Sequence, residues 1–376
     1  MGCLDGKVGF PSGNMKSNRS VCLRDIAEVA GVTRMTVSKA LRGVPGVSEE
    51  NRRRIKKIAQ ELGYKPNPNV AKALAAVAET GHSSVGERLA FLTTHKTAEG
   101  WRDFPHITGC FEGAKERAKE IGYELESFWA LEPGIKLADV LYARGIDGIV
   151  LAPTGAELMS EGRRTIDFDW SRASVVEINE QLDDPHFRVV RHDHYSSMLE
   201  SLYQLESLGY RRIGFAMSRT TEARNRHRWS SAYLLWSRMR NAEGEIPLYL
   251  YDDDDVSAFG QWARANRLDS IIGLPREFLM MKKAGLECPK ELGFASLDHQ
   301  AVPGEDIVCS GVDQNSHSIG ASAVDLLVGL IHTGEKGPPP NPVKLVCAGR
   351  WVSGESTMKV GEPLEDRSLY EAALTF

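Results

Sequence analysis

Between Leu23 and Arg42 (LRDIAEVAGVTRMTVSKALR) the apolar and small side chains fall at the offsets that two short helices crossing at a tight turn require. Ile26, Ala30 and Val37 supply the shared core. Ala27 must be small because the second helix crosses above it, and Gly31 takes the turn, where a left-handed backbone carries no Cβ penalty. Thr33 caps the second helix. After the turn GVPGV, Ser48 caps a third helix that runs to about Leu62, with Glu49 and Glu50 suiting its positive end and Ile55, Ile58, Ala59 and Leu62 on one face. From Tyr64 to Ala76, two prolines in extended conformation lead into a short alanine-rich helix capped by Asn67 or Asn69, a length that is marginal alone in water. The polar stretch ETGHSSVG ends this region.

From Arg88 onward, short β-rich runs alternate with amphipathic helical stretches. The expected strands are 89–93, 123–128, 148–152, 174–178, 212–216, 248–251, 270–274 and 292–297, and the expected helices are 104–121, 196–208, 228–240, 277–283 and 316–331. Such alternation predicts parallel sheets covered by helices on both faces. About 270 residues exceed one compact sheet of this kind, so two similar lobes are expected. The second lobe is expected to begin near Leu208–Phe215, and the chain to cross back near Gly311. Ligands of such sheets bind at the carboxyl ends of the strands, here facing across a cleft. The expected organisation is a disordered extension (1–18), a helix-turn-helix head (19–64), a hinge and linker (65–86), a two-lobed α/β body (87–357) and a tail (358–376).

Charge sharpens this picture. The whole chain carries −5, but residues 1–75 hold 14 Lys/Arg against 6 Asp/Glu, a net +8, which leaves −13 on the remainder. A basic head on an acidic body points to a polyanion at one end only. Thr33, Arg34, Met35, Thr36, Ser38 and Lys39 stand near the start of the second helix, the end of a recognition helix that meets base edges in a major groove. Arg53, within the run Arg52-Arg-Arg-Ile-Lys-Lys57, is the candidate phosphate contact. Two hinge helices packed in a minor groove would hold each other, with Asn69 at the DNA and Leu74 positioned to wedge between base pairs. No apolar run reaches the roughly 18 residues of a membrane span, and the N-terminal stretch lacks the apolar core of a secretory signal, so a cytoplasmic protein is expected.

The six cysteines are scattered with no Cys-x-x-Cys pair, which argues against both a zinc site and a disulfide framework. His192-Asp193-His194 has metal-ligand chemistry, but no further Cys or His lies nearby to complete a shell, so no metal is expected. Gly329–Lys336 has the outline of a phosphate loop with Glu where the motif requires Lys, and there is no Gly-x-Ser-x-Gly elbow. Catalytic residues and cofactors are therefore not expected. Trp229, Tyr233 and Trp236 share a helix, and Trp229 beside Arg228 is a candidate cleft wall.

With the head, the hinge and the two-lobed body in order, the chain resembles the lactose repressor (LacI/GalR) family of bacterial transcription regulators over residues 21–357. The resemblance is carried by DIAEVAGVTRMTVSKAL, VSEENRRRIKKIAQELGY and PNPNVAKAL in the head, and more diffusely by LYARGIDGIVLAP, LESLGYRRIGF, CPKELGFASLD and GVDQNSHSIGASAVDLL in the body. It implies a type I periplasmic-binding-protein-like effector domain, a homodimer on a near-palindromic double-stranded operator, and Leu74 as the inserted hinge leucine. It also implies a small-molecule effector, a sugar or related metabolite, contacted by Trp101 or Phe104, Asp193, Arg228, Asp298 and Gln314. Where the family pattern has Asn-Asp after a strand like 270–274, this chain has Pro275-Arg276, and where the pattern has Asp-Asn it has Asp193-His194. The implied function is a transcription regulator, more a repressor than an activator. The alternatives are a DNA-binding regulator without an effector and a cleft enzyme with a DNA-binding appendage.

Overall fold

The computed structural model describes residues 23–33, 36, 37, 40, 41, 47–62, 87–153, 166–180, 182–240, 246–300, 302, 304–364, 366 and 368–371. The chain divides into two compact units, residues 1–83 and 84–376. In the first, helix α1 (Leu23–Ala30) ends at Gly31, whose φ of +62° is the left-handed turn the sequence requires. Thr33 Oγ1 then accepts the Thr36 N–H at 3.2 Å and caps the helical residues that follow. Ser48 caps helix α2 (Glu49–Glu61) by accepting the Asn51 N–H at 3.4 Å. Ile26, Ala27, Ala30, Val37, Ala40, Ile55 and Ala59 form one buried cluster. The expected hinge and linker, 65–86, and the extension, 1–18, lie outside the described residues.

The second unit holds two six-stranded sheets. The first runs β11-β5-β4-β3-β1-β2, from β1 (Glu87–Thr93), β2 (Tyr123–Trp129), β3 (Gly148–Leu151), β4 (Ser174–Ile178), β5 (Arg188–His192) and β11 (Lys344–Cys347), all pairs parallel. Helices α3 (Pro105–Glu120) and α4 (Leu137–Ala143) belong to this lobe. The second sheet runs β12-β10-β9-β8-β6-β7, from β6 (Ile213–Ser218), β7 (Tyr249–Tyr251), β8 (Ser270–Gly273), β9 (Gly293–Ser296), β10 (Ser310–Asp313) and β12 (Arg350–Val352). Among the described strands only β12 is antiparallel, to β10. Helices α5 (His194–Ser207), α6 (Arg219–Arg224), α7 (Arg228–Arg240), α8 (Val256–Ala265) and α9 (Pro275–Lys283) surround it.

Three crossovers join the lobes among the described residues, and the first corrects an expectation. The chain leaves the first sheet at Asp193, not near Leu208: Met198, Leu199, Leu202 and Leu205 of α5 already pack with Phe215 and Met217 of the second lobe. It returns between Asp313 and Ser316, where helix α10 (Ser316–Thr333) rejoins the first lobe against α3. That packing is close, because a Cβ on Gly320 would lie 1.9 Å from the Cys110 carbonyl oxygen. A third crossing, between Cys347 and Arg350, was not expected from the sequence. The Asp193 N–H donates to the Cys347 carbonyl at 2.9 Å and ties the first crossing to the third. The tail then straps the second lobe, with Leu369 and Tyr370 buried in its core. No helix among the described residues is long and apolar enough to cross a membrane.

Candidate functional site

At the head, Thr33 and Arg53 are exposed and Thr36 is half-buried, while Arg34, Met35, Ser38, Lys39, Asn69 and Leu74 lie outside the described residues. The basic run on α2 divides by geometry. Arg54 donates to the Ala30 carbonyl at 2.9 Å and so ties α2 to the end of α1, and Arg52 lies 3.6 Å from Glu49. Arg53 and Lys56 stay at the surface.

In the body, the strands of both sheets end at the lobe junction. Asn179 and Glu180, just beyond β4, both adopt positive φ, and the Glu180 side chain pairs with Arg228 at the start of α7 in the second lobe. Arg226 lies 3.7 Å from Asp183 across the same junction. Two further cations, Lys344 from β11 and Arg191 from β5, converge on the same Glu180 carboxylate, Arg191 at 3.9 Å. Burial pushes that carboxyl up, but Lys344 and Arg228 outweigh it and hold it below the usual range. Arg191 is lowered by burial and then by the like charge of Arg228.

Histidines surround this corner. Burial lowers His106 to about 4, with Arg224 and His95 adding to the effect. Burial also brings His192 to about 4 and His194 well below its ordinary value, so all three are neutral at pH 7. His192 and His194 meet edge to face at 5.1 Å, and His194 meets Trp229 at 4.9 Å. His192 Nε2 lies 2.6 Å from Ser197 Oγ, and among the described residues no group of three His, Cys, Asp or Glu side chains is placed to hold a metal ion.

The six expected effector contacts separate. Trp101 has no exposed surface; its ring packs 4.9 Å from Phe111 and 5.8 Å from Phe91 in the first-lobe core, so in this arrangement it offers no face to a ligand. Phe104 is 48% exposed and lies 5.2 Å from His95. Trp229, the candidate cleft wall, is also buried in the core. Asp193 caps α5, accepting the Ser196 N–H at 3.1 Å and its hydroxyl at 2.7 Å. Arg228 donates to the Asn225 carbonyl at 3.1 Å besides pairing with Glu180. Asp298 and Gln314 come together beyond β9: Gln314 donates to the Leu297 carbonyl at 2.8 Å and Gln300 donates to the Asp298 carboxylate at 2.8 Å. Burial raises Asp298 to about 7. Glu180, Arg191 and Lys344 were not singled out from the sequence, because a carboxylate and cations 11 and 164 positions apart meet only through the sheet order. Pro275 opens α9, and Arg276 pairs with Asp254 at 2.8 Å.

A family model described as bacterial regulatory proteins of the lacI family matches residues 22–67, and one described as a periplasmic binding protein-like domain matches residues 202–357. The chain is 23% identical over 343 residues to the HTH-type transcriptional regulator KdgR of Bacillus subtilis (strain 168), covering 86% of this chain and 95% of that protein. It is 35% identical over 112 residues to the HTH-type transcriptional regulator GntR of Escherichia coli (strain K12), covering 30% of this chain and 32% of that protein. Among solved structures, a complex of the transcriptional regulator CelR with cellobiose superposes with a TM-score of 0.52 at 21% identity, covering 89% of this chain and 99% of that one. A lac repressor dimer bound to operator and an anti-inducer gives 0.50 at 18% identity, covering 90% and 100%. At these identities the two structures show a shared fold.

Proposed function

Because the chain belongs to the lacI family of bacterial regulatory proteins, we propose that it is a cytoplasmic, homodimeric repressor whose affinity for a near-palindromic operator is set by a small molecule between its lobes. The observation that carries the effector part is the three-crossover junction: the same short segments that join the lobes hold Asp193, Gln314 and the ends of the strands that present Glu180 and Asp298. A ligand engaging both lobes there favours one interlobe angle. Linkage makes the coupling a difference in DNA affinity between two lobe arrangements, typically about 5- to 150-fold. CelR in complex with cellobiose and the lac repressor dimer on its operator are proteins of this fold for which each half of the reading is described.

In this reading Thr33, Arg34, Met35, Thr36, Ser38 and Lys39 meet bases, Arg53 meets phosphate, and Asn69 and Leu74 enter the minor groove. Phe104, Asp193, Arg228, Asp298 and Gln314 border the effector. The test begins with selection of bound duplexes from a random pool and sedimentation of the free chain. An enriched inverted repeat and a dimer at micromolar concentration are expected; a monomer, or a pool without an inverted repeat, refutes the homodimeric operator reading. A metabolite that raises the thermal midpoint should then change operator affinity, and Asp298→Ala should abolish that change while leaving DNA binding within about two-fold. A full response in Asp298→Ala removes the site assignment.

A further inference from the structure

Three cationic side chains meet a single carboxylate at the lobe junction. Arg228, Arg191 and Lys344 all converge on Glu180. Arg191 and Arg228 are mostly buried, with side chains 15% and 18% exposed, so their mutual repulsion is weakly screened by solvent. Glu180 serves the two guanidinium groups unequally, and the Asp193 carboxylate adds a more distant attraction on Arg191. Arg228 is bonded to Glu180, whereas Arg191, whose Nη1 donates to the His192 carbonyl at 3.0 Å, holds its Nε 3.9 Å from Glu180, beyond hydrogen-bond reach, a buried donor with no acceptor among the described residues. The indole N–H of Trp229, the residue after Arg228, is likewise buried in the second-lobe core with no acceptor among the described residues. Buried donors without acceptors are rare because each forfeits its hydration. Among the described residues this corner therefore holds buried donors that outnumber the acceptors reaching them.

We propose that the effector carries an anionic group, a carboxylate or a phosphate, that seats against the Arg191 and Arg228 guanidinium groups and shares or replaces Glu180 as their counter-ion. A forked guanidinium pair suits an oxyanion better than a neutral hydroxyl, because two parallel N–H donors match two oxygens. The His106 imidazole, placed 3.4 Å from Asn179, borders the same corner with a neutral polar group for a remaining ligand oxygen. Glu180 thus acts as an internal stand-in for the ligand's own charge. This inference rests on the reading of the cleft as an effector site.

The test compares thermal midpoints of the full chain in sodium chloride, sodium acetate and sodium phosphate at equal ionic strength. Acetate and phosphate separate the two sources of the charge. One of them should raise the wild-type midpoint by about 2 °C or more beyond chloride, and Arg191→Gln, which leaves Glu180 with Arg228 and Lys344, should lose that increment. Arg191→Lys, which keeps the charge without the fork, should retain only part of it. Equal midpoints in all three salts, or an increment that survives in Arg191→Gln, overturn the proposal. If a neutral sugar changes operator affinity while neither oxyanion shifts the midpoint, the regulator reading stands and the anionic ligand falls. If the increment depends on Arg191 but no anionic metabolite alters DNA binding, the anion site stands and the regulatory coupling falls.

Discussion

Arg53 and Arg54 are adjacent on α2, and geometry gives them different tasks. Arg54 is hydrogen-bonded to the Ala30 carbonyl at 2.9 Å, while Arg53 is exposed on the helix surface. Replacing Arg53 by Ala should remove one phosphate contact per subunit, two per dimer. Each contact contributes about 0.9 to the slope of log affinity against log salt. Two contacts give about 1.8, so between about 50 and 200 mM salt the wild type should lose roughly 12-fold more affinity than the variant. The loss at low salt should be the same on the selected operator and on a scrambled duplex, because phosphates carry no sequence. Arg54→Ala should instead weaken the head itself by about 1.5 kcal/mol, the low end for a hydrogen bond from a charged group, since the side chain is partly exposed. Fluorescence anisotropy at the two salt concentrations, with amide exchange of Ile26–Ala30 as the stability readout, separates the pair. An unchanged salt slope in Arg53→Ala, or a loss confined to the operator, would show that Arg53 does not bind phosphate.

Three further outcomes are expected. Glu206 is buried in the second lobe and accepts from the Trp236 indole, from Arg240 and, at 2.6 Å, from the Tyr370 hydroxyl; Tyr370→Phe should cost about 1.5 kcal/mol and Tyr370→Ala about 3–5 kcal/mol. Equal unfolding midpoints for the two variants and the wild type in a urea titration would show that the tail is not docked. Asp298 is raised from 3.8 to about 7 by burial, so its proton stabilises the fold fully below pH 4, and that contribution is lost as the pH climbs to about 7. His106 and His192, lowered to about 4, act in the opposite sense, losing stability as the pH falls from 6.5 toward 4. The difference between wild type and Asp298→Asn isolates the carboxyl: the variant should gain on the wild type from pH 5 to pH 8 in urea midpoints, and a constant difference contradicts the raised value. Finally, Gly320→Ala would press a methyl group into the Cys110 carbonyl, and a thermal midpoint near wild type would be inconsistent with the close α3–α10 packing.

The sequence by itself determined the local parts. The left-handed Gly31, the Thr33 and Ser48 caps, the strand Ser174–Ile178 and the helix Arg228–Arg240 follow from backbone sterics, side-chain capping and hydrophobic periodicity, all acting within one turn or one strand. Strands β5, β10, β11 and β12 were not expected because they are short and carry charge or small residues: β11 is an edge strand with Leu345 and Val346 exposed, and no apolar alternation marks it. Only the tertiary structure decided where the chain crosses between lobes. Asp193 caps a helix at the first crossing, and Trp101 entered the core, because burial depends on what the sheet brings against a side chain. The meeting of Glu180 with Arg191, Arg228 and Lys344 has no local signature at all. Ion pairs across 48 and 164 residues exist only once strand order and lobe closure have fixed their distances, and electrostatic attraction at those separations in the unfolded chain is screened by salt and water.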